Sequence, residues 1–352
     1  MPPGIGQTGL LPEAQRLKIL IVTDAWAPQV NGVVRTLEIL GNDLAELGHE
    51  VRYVTPVGRT TFPLPTYPEI RLALFSRWSL EQEIAEFSPD AIHIATEGSL
   101  GLAVRAICQT FNIPFTTSLH TRFPEYIHAR FPILSEKNLY RLLRWFHAPA
   151  TSVMVATESL KTELESHGLK NLRIWSRGVD TERFRPIADA KLPFPKPIWL
   201  YVGRIAIEKN IESFLRLDLP GTKVLVGGGP EQAALEQRFP EAKFLGPQKG
   251  EELAHAYAAS DVFVFPSKTD TFGLVVLEAL ACGVPVAAYP VQGPLDVVGN
   301  APAAALNQDL ETACRRALTL SRSAAREFAL TKRWRRCTEQ FLDNLAIEGE
   351  TL

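Results

Sequence analysis

The sequence predicts an α/β protein of two doubly wound domains, each a parallel sheet with helices on both faces. Three observations predict it. Short aliphatic runs alternate with segments of helical periodicity along the chain. The length of 352 residues is enough for two domains. A stretch at 187–197, rich in Ala, Lys and Pro, separates two such alternating sets.

Residues 18–23 (KILIVT) form a compact apolar run, the pattern of a strand buried on both faces. A glycine-bearing loop at 25–32 leads to a helix over 33–47, where Val33, Leu37, Leu40, Leu44 and Leu47 recur at helical spacing and Gly48 ends the run. Residues 51–54 read as a strand, 80–87 as a helix, 91–94 as a strand, 100–111 as a helix, and 115–118 and 152–156 as strands. Beyond the linker, strands are expected at 198–202, 223–226, 243–245, 262–265 and 284–288, with a last helix over 331–345. The expected division is a flexible leader (1–16), a first domain (17–185), a second (186–330) and a closing helix (331–352) packed back towards the first. No tandem repeat is visible. Ligands of open parallel sheets bind outside the carboxyl ends of the strands, so a cleft between two facing domains is where chemistry is expected.

Composition narrows the function. With 46% hydrophobic and 22% charged residues, the chain can bury a large core, and disorder is excluded. Lys+Arg 37 against Asp+Glu 39 excludes a wholesale polyanion binder, so no nucleic-acid partner is expected. Cys108, Cys282, Cys314 and Cys337 are widely spaced without a C-x-x-C pair, which excludes a zinc ribbon and fits buried, reduced thiols in the cytoplasm. Residues 1–16 lack the basic and apolar regions of a signal peptide. The longest apolar stretch, 273–291, is interrupted by Glu278, Pro285 and Pro290 and reads as helix, turn and strand rather than a membrane span. Membrane contact is therefore expected to be peripheral.

Five places carry candidate chemistry. Gly203, Arg204 and Lys209 (VGRIAIEKN) follow a strand, and the two cations suit a diphosphate, although a solvated pair flanking Glu208 is an equal alternative on these residues alone. Asp270 and Glu278 bracket a loop-to-helix transition (DTFGLVVLE). There the backbone N–H groups of Gly273, Leu274 and Val275 are open to phosphate or sugar oxygens. The alternative makes Asp270 a helix cap and Glu278 a partner for an arginine. The apolar run around Glu278 weighs against it, since a buried carboxylate needs a purpose. Gly227, Gly228 and Gly229 allow close approach of backbone to a ligand, or simply a tight turn. Asn31 and Gly32 precede a helix start that can face an anion. His120 stands at a strand end and so points towards the cleft; a lone histidine is more often structural than catalytic, and this position raises the odds of a role in the cleft. No P-loop, G-x-S-x-G, H-E-x-x-H or D-x-D occurs, so a bound nucleotide diphosphate would rest on Arg204, Lys209 and helix N-termini in place of a metal.

These residues converge on a family. The chain resembles retaining glycosyltransferases of family 4, with the GT-B architecture of two Rossmann-like domains facing across a cleft. The likeness covers residues 17–345 and rests on ILIVTDAWAPQVNGVVRT, TSLHTRFPEY, RGVDTERFRP, VGRIAIEKN and TDTFGLVVLEALACGVPVAA. It implies that Arg204 and Lys209 grip the donor diphosphate and stabilise the leaving group. Asp270 would take the first acidic position of an E-x7-E motif, near the sugar hydroxyls, as a shorter side chain than the usual glutamate. Glu278 would take the second and hold the ribose. Phe272 to Val275 (Phe272, Gly273, Leu274, Val275) would present backbone N–H groups to the sugar. Gly32 would let the first loop approach the diphosphate, and His120 would contact the sugar near the reacting carbon. A front-face route is implied, with the leaving phosphate taking the acceptor proton.

The text looks most like enzymes that glycosylate lipids. The expected reaction moves a hexose or hexuronic acid from a UDP-sugar to a lipid such as diacylglycerol, with no cofactor and no metal. A GDP-mannose-dependent mannosyltransferase acting on a lipid or glycan is the main alternative, and a non-catalytic sugar-nucleotide-binding protein a further one. Residues 121–147 add a reading independent of family. Arg122, Arg130, Lys137, Arg141 and Arg144 outnumber Glu125 and Glu136, and Leu139, Leu142, Leu143 and Phe146 share a helical face. Such a stretch can lie on an anionic bilayer or pack as an ordinary surface helix; the expected place is the cytoplasm, peripheral on the inner face of the membrane.

Overall fold

The computed structural model describes residues 16–27, 29, 32–64, 67–120, 135–270, 272–299 and 301–347. All of the expected leader except Arg16 lies outside them. The first half contributes β1 (Lys18–Val22), β2 (Glu50–Val54), β3 (Thr61–Leu64), β4 (Tyr67–Ala73), β5 (Ala91–Ile94), β6 (Thr116–Leu119), β7 (Ser152–Val155) and β8 (Leu172–Ile174). Six of them form one sheet in the order β2-β1-β5-β6-β7-β8, while β3 and β4 pair as an antiparallel hairpin. The second half contributes β9 (Ile198–Val202), β10 (Thr222–Val226), β11 (Lys243–Phe244), β12 (Val262–Phe265), β13 (Val286–Ala288) and β14 (Ala304–Leu306). Their order is β11-β10-β9-β12-β13-β14, parallel throughout. Each sheet starts near its middle, winds outward, and then crosses back to continue on the other side. That is the doubly wound α/β arrangement, and the crossing point lies between β1 and β5 in one sheet and between β9 and β12 in the other.

By contacts the chain divides into two compact units. One comprises Met1–Ser118, Pro149–Ser152 and Leu345–Leu352, and the other Leu119–Ala148 and Val153–Asn344. The central runs read as strands, such as β9 and β12, are buried on both faces, whereas the edge strands β2 and β11 expose Arg52 and Lys243. In the second sheet Leu200, Val224 and Phe263 face one core cluster, whereas Trp199, Tyr201, Leu225 and Val264 face another. Each such side chain, fully buried, contributes about 1.5–3 kcal/mol.

Some elements differ from expectation. The β3–β4 hairpin carries Pro63 and Pro68, residues that argue against a strand unless it lies at an edge. β8, β14 and the helix Glu158–Ser166 are short and were not expected. The closing helix expected at 331–345 forms over Trp334–Asn344, and a separate helix that was not expected, Arg322–Leu330, precedes it. The link between these two helices is pinned by a distant segment: Val179 N donates to Lys332 O at 2.8 Å, and a Cβ on Gly178 would lie 2.5 Å from Trp334 N.

At the crossing point of the first sheet, Asp24 follows β1 and is 4% exposed. Leu100 N and Ser99 Oγ each donate to Asp24 Oδ1 at 3.0 Å, and Thr96 Oγ1 donates to Oδ2 at 3.2 Å. The helix Ser99–Phe111 has Gly98 at its N-cap, which offers no side chain, so Asp24 caps it from another strand. Burial raises the Asp24 pKa, and the four hydrogen bonds from Leu100, Gly101, Ser99 and Thr96 oppose that rise. Replacing Asp24 by Ala should lower unfolding stability by about 1–2 kcal/mol, read by chemical denaturation. A carboxyl group with a raised native pKa contributes most below its unfolded pKa and loses that contribution as pH rises through the native one. Wild type should therefore lose stability relative to Asp24→Asn as pH rises above about 4.

Candidate functional site

The loops leaving β9 and β12 diverge at the crossing point of the second sheet, and the predicted cations and one predicted acid stand on them. Directly after β9, Gly203 has φ +150° and Gly203 N donates to Val226 O at 3.0 Å. Ile205 N then donates to Gly228 O at 3.0 Å, which ties this loop to the glycine loop after β10. A Cβ on Gly227 would lie 1.9 Å from Gly203 O, and one on Gly229 would lie 2.2 Å from Ile205 O. Gly227 and Gly229 thus serve an approach of backbone to backbone, whereas a Cβ on Gly228 would first meet the Pro247 ring, at 3.3 Å. Beneath them Tyr201 is buried and donates from its hydroxyl to Arg204 O at 2.8 Å. Burial raises the pKa of this phenol, and the negative charges of Asp270 and Glu208 raise it further.

The loop continues through a 3-10 turn, Ile207–Lys209, to Asn210 at φ +53°. Asn210 Nδ2 donates to Pro266 O at 3.0 Å, and Thr269 Oγ1 donates to Glu208 O at 3.3 Å. These bonds bring the loop after β9 against the loop after β12. There Lys209 Nζ and Asp270 Oδ1 form an ion pair whose side chains are 23% and 18% exposed. Arg204, in the same loop as Lys209, is exposed, and its guanidinium makes no hydrogen bond among the described residues.

After Asp270 the chain enters the helix Leu274–Ala281. Gly273 is its N-cap at φ +82°, and no side chain caps it. Phe272 packs on the core, while Leu274 and Val275 are half-buried. The first N–H groups of this helix, with the positive end of its dipole, are therefore not taken by a side-chain cap. Glu278 lies one turn further in. It is 2% exposed and accepts from the Tyr257 hydroxyl at 3.0 Å. The structure thus joins Lys209 to Asp270, keeps Gly203 and Arg204 on the same loop, and holds Glu278 in the interior.

The other two predicted positions stand elsewhere. Gly32 is the exposed first residue of the helix Gly32–Glu46 and belongs to the other compact unit. Its neighbour Asn31 lies outside the described residues. His120 follows β6, half-buried, with Nδ1 3.0 Å from Arg177 Nη2 and its ring edge-on to Trp175 at 5.7 Å. Sequence reading missed Tyr201, Asn210 and Arg177 as contributors. Asn210 directly follows Lys209, and Arg177 opens RGVDTERFRP, but a pattern on one strand does not reveal its partner on another.

Of the basic segment, residues 121–134 lie outside the described ones. The rest is the helix Glu136–His147, capped by Ser135. Its Leu143 and Phe146 are buried with Tyr140, whereas Leu142 (55% exposed) and Trp145 (52%) face outward beside exposed Lys137, Arg141 and Arg144. The apolar face expected to be continuous is therefore divided, because part of it packs into the protein. No helix of the described residues is long and apolar enough to cross a membrane. All four cysteines are buried, and none forms a disulfide.

Cations beside an uncapped helix start, at the carboxyl ends of parallel strands, suit a phosphorylated ligand. Comparison with known proteins agrees in kind. Residues 30–183 match the family described as Glycosyltransferase Family 4, and residues 184–309 match Glycosyl transferases group 1. The chain is 32% identical over 317 residues to the sulfoquinovosyl transferase of Arabidopsis thaliana, with 82% of this chain and 62% of that protein covered. It is 31% identical to a GDP-mannose-dependent alpha-mannosyltransferase of Mycobacterium tuberculosis, with 80% of this chain and 81% of that one covered. It is 28% identical to an alpha-monoglucosyldiacylglycerol synthase of Streptococcus pneumoniae, with 78% and 71% covered. In fold it is similar to a sucrose-phosphate synthase of Thermosynechococcus elongatus, with a TM-score of 0.77, 23% identity, and 93% and 98% of the two chains covered. Two doubly wound parallel sheets, both family matches and the mycobacterial relative together place this chain in glycosyltransferase family 4, as an enzyme of the GT-B fold.

Proposed function

We propose that the protein is a retaining glycosyltransferase that moves a hexose or hexuronic acid from a UDP-sugar to a lipid hydroxyl such as that of diacylglycerol, forming an α-glycosidic bond. The observation that carries the reading is the grouping of Arg204, Lys209 and Asp270 on loops flanking the β9–β12 crossing point, beside an uncapped helix. In this reading Arg204 and Lys209 bind the diphosphate and stabilise its growing charge as the bond to the sugar breaks. Asp270 holds Lys209 in place when the site is empty and accepts from donor-sugar hydroxyls when it is filled. The N–H groups of Gly273, Leu274 and Val275 serve the same sugar, Glu278 the ribose, Gly32 the diphosphate and His120 the sugar near the reacting carbon. The leaving phosphate takes the proton of the acceptor hydroxyl as the new bond forms. Neither a cofactor nor a metal takes part, since the two cations supply the counter-charge.

A lipid acceptor is supported by the relative named for diacylglycerol and by the exposed Leu142 and Trp145 among basic residues, which suit a protein resting on an anionic inner membrane face. A second reading, transfer of mannose from GDP-mannose to a lipid or glycan, is favoured by the likeness to the mycobacterial enzyme.

Incubation with labelled UDP-glucose, UDP-glucuronate, UDP-galactose and GDP-mannose plus diacylglycerol vesicles, followed by lipid extraction and chromatography, separates these readings. A labelled lipid formed only from GDP-mannose selects the second. With the active donor at saturation, Arg204→Ala should cut turnover on the order of 100-fold while a chelator leaves it unchanged. Turnover near wild type in that variant refutes the charge assignment. In flotation with vesicles containing anionic lipid, Leu142→Ser combined with Trp145→Ser should weaken binding at least several-fold, with no change in the circular-dichroism spectrum. Equal flotation of wild type and variant removes this helix as the contact.

A further inference from the structure

Arg177 is buried, at 6% exposure, and its charge has no carboxylate partner among the described residues. Its contacts are instead an array aimed at one ring. Nη1 donates to Trp175 O at 2.6 Å and Ser176 O at 3.0 Å, the guanidinium lies 4.2 Å from the centre of the Trp175 ring, and Nη2 reaches His120 Nδ1 at 3.0 Å. We propose that Arg177 is a positioning residue that holds His120 as the uncharged Nε2–H tautomer. The proposal rests on the assignment of His120 to the donor sugar.

The chemistry of the two groups forces the direction of the bond. A guanidinium carries donors and no acceptor, so Nδ1 must be unprotonated to receive it. The ring proton then sits on Nε2. Moving it to Nδ1 would set two N–H groups against each other and leave a buried Arg177 donor unsatisfied. Adding a second proton would place two cations at hydrogen-bond distance. The imidazole is thereby fixed as a hydrogen-bond donor at Nε2, suited to a sugar oxygen, rather than as a proton-abstracting base.

The bearing on which Arg177 rests is rigid. Trp175 is buried and packs on Phe341 at 5.0 Å. Ser176 N and Oγ donate to Gln340 Oε1 at 3.1 and 2.7 Å, and Asn344 Nδ2 donates to Ile174 O at 2.8 Å. The helix Trp334–Asn344 thus clamps the segment that carries the arginine. Burial lowers the Arg177 pKa to about 10, with the Cys337 thiol acting in the opposite sense, so it keeps its charge at neutral pH.

The test uses the full chain with ¹⁵N-labelled imidazole rings. Its 7 histidines give a tractable spectrum, and loss of a signal in His120→Gln assigns His120. The expected wild-type signature is the Nε2–H tautomer, and in Arg177→Met it should give way to a tautomeric mixture or a shift towards Nδ1–H. An Nδ1–H or doubly protonated ring in wild type, or an unchanged spectrum in Arg177→Met, overturns the proposal. If Arg177→Met does not fold, Arg177→Gln takes its place, since an amide can accept as well as donate and so releases the tautomer; Arg177→Lys, still only a donor, should keep it. The second readout is turnover with whichever of the four sugar nucleotides is active. His120→Gln should lower turnover on the order of 100-fold, and adding Arg177→Met should lower it by less than about threefold more. Losses that multiply instead show that Arg177 does not act through His120. Unchanged turnover in His120→Gln, with the tautomer as expected, refutes the sugar-side role of His120 and leaves the hold of Arg177 on the ring intact.

Discussion

The second half of this enzyme depends on two loops meeting where no side chain fits. Gly227 sits against the carbonyl of Gly203, and Gly229 against that of Ile205, at separations that a Cβ would close to 1.9 and 2.2 Å. Because the backbones touch, the loop after β9 is held from beneath by its neighbour, with Tyr201 bracing it from the core. That restraint leaves the loop little freedom to swing. Arg204 is therefore presented at the sheet edge, and Lys209 is carried across to Asp270 on the far side of the crossing point. Glycine matters here for the room it leaves as much as for its positive φ.

Asp24, Glu278 and Arg177 are among the charged side chains taken out of water, and each is satisfied in its own way. Asp24 collects donors at a helix start that has no cap of its own. Glu278 accepts from the Tyr257 hydroxyl inside the second core. Arg177 rests on two carbonyls, an indole face and an imidazole. Burying a charge is costly unless such contacts compensate, so each of these positions constrains its surroundings. Asp24 joins the loop after β1 to the helix after β5, and Arg177 joins the segment after β8 to His120. In both cases the charge couples two loops at the carboxyl ends of strands, where an α/β enzyme binds its ligands.

Much of this was legible in residue order. Apolar runs such as 198–202 and 262–265 are buried on both faces and so read as strands without a partner in view. The cations after β9 and the acids bracketing Gly273 could be selected because their spacing places them at a loop and a helix start. What was not legible has a common cause. The β3–β4 hairpin is disguised by prolines that an edge position tolerates. The closing helix starts only at Trp334, because the residues before it are held by Val179 bonding to Lys332, far away in sequence. Leu143 and Phe146 share periodicity with Leu142, yet only the first two find a surface to pack on.

The sequence by itself determined the doubly wound architecture, the family and the short segments that carry the charges, because hydrophobic periodicity and loop chemistry are local properties of the chain. Only the tertiary structure decided that Lys209 pairs with Asp270, that Glu278 turns inward to Tyr257, and that His120 is held by Arg177. Those outcomes depend on which strands become neighbours and how closely their loops approach. Sheet order and backbone proximity set that distance, and neither is written in any single stretch of residues.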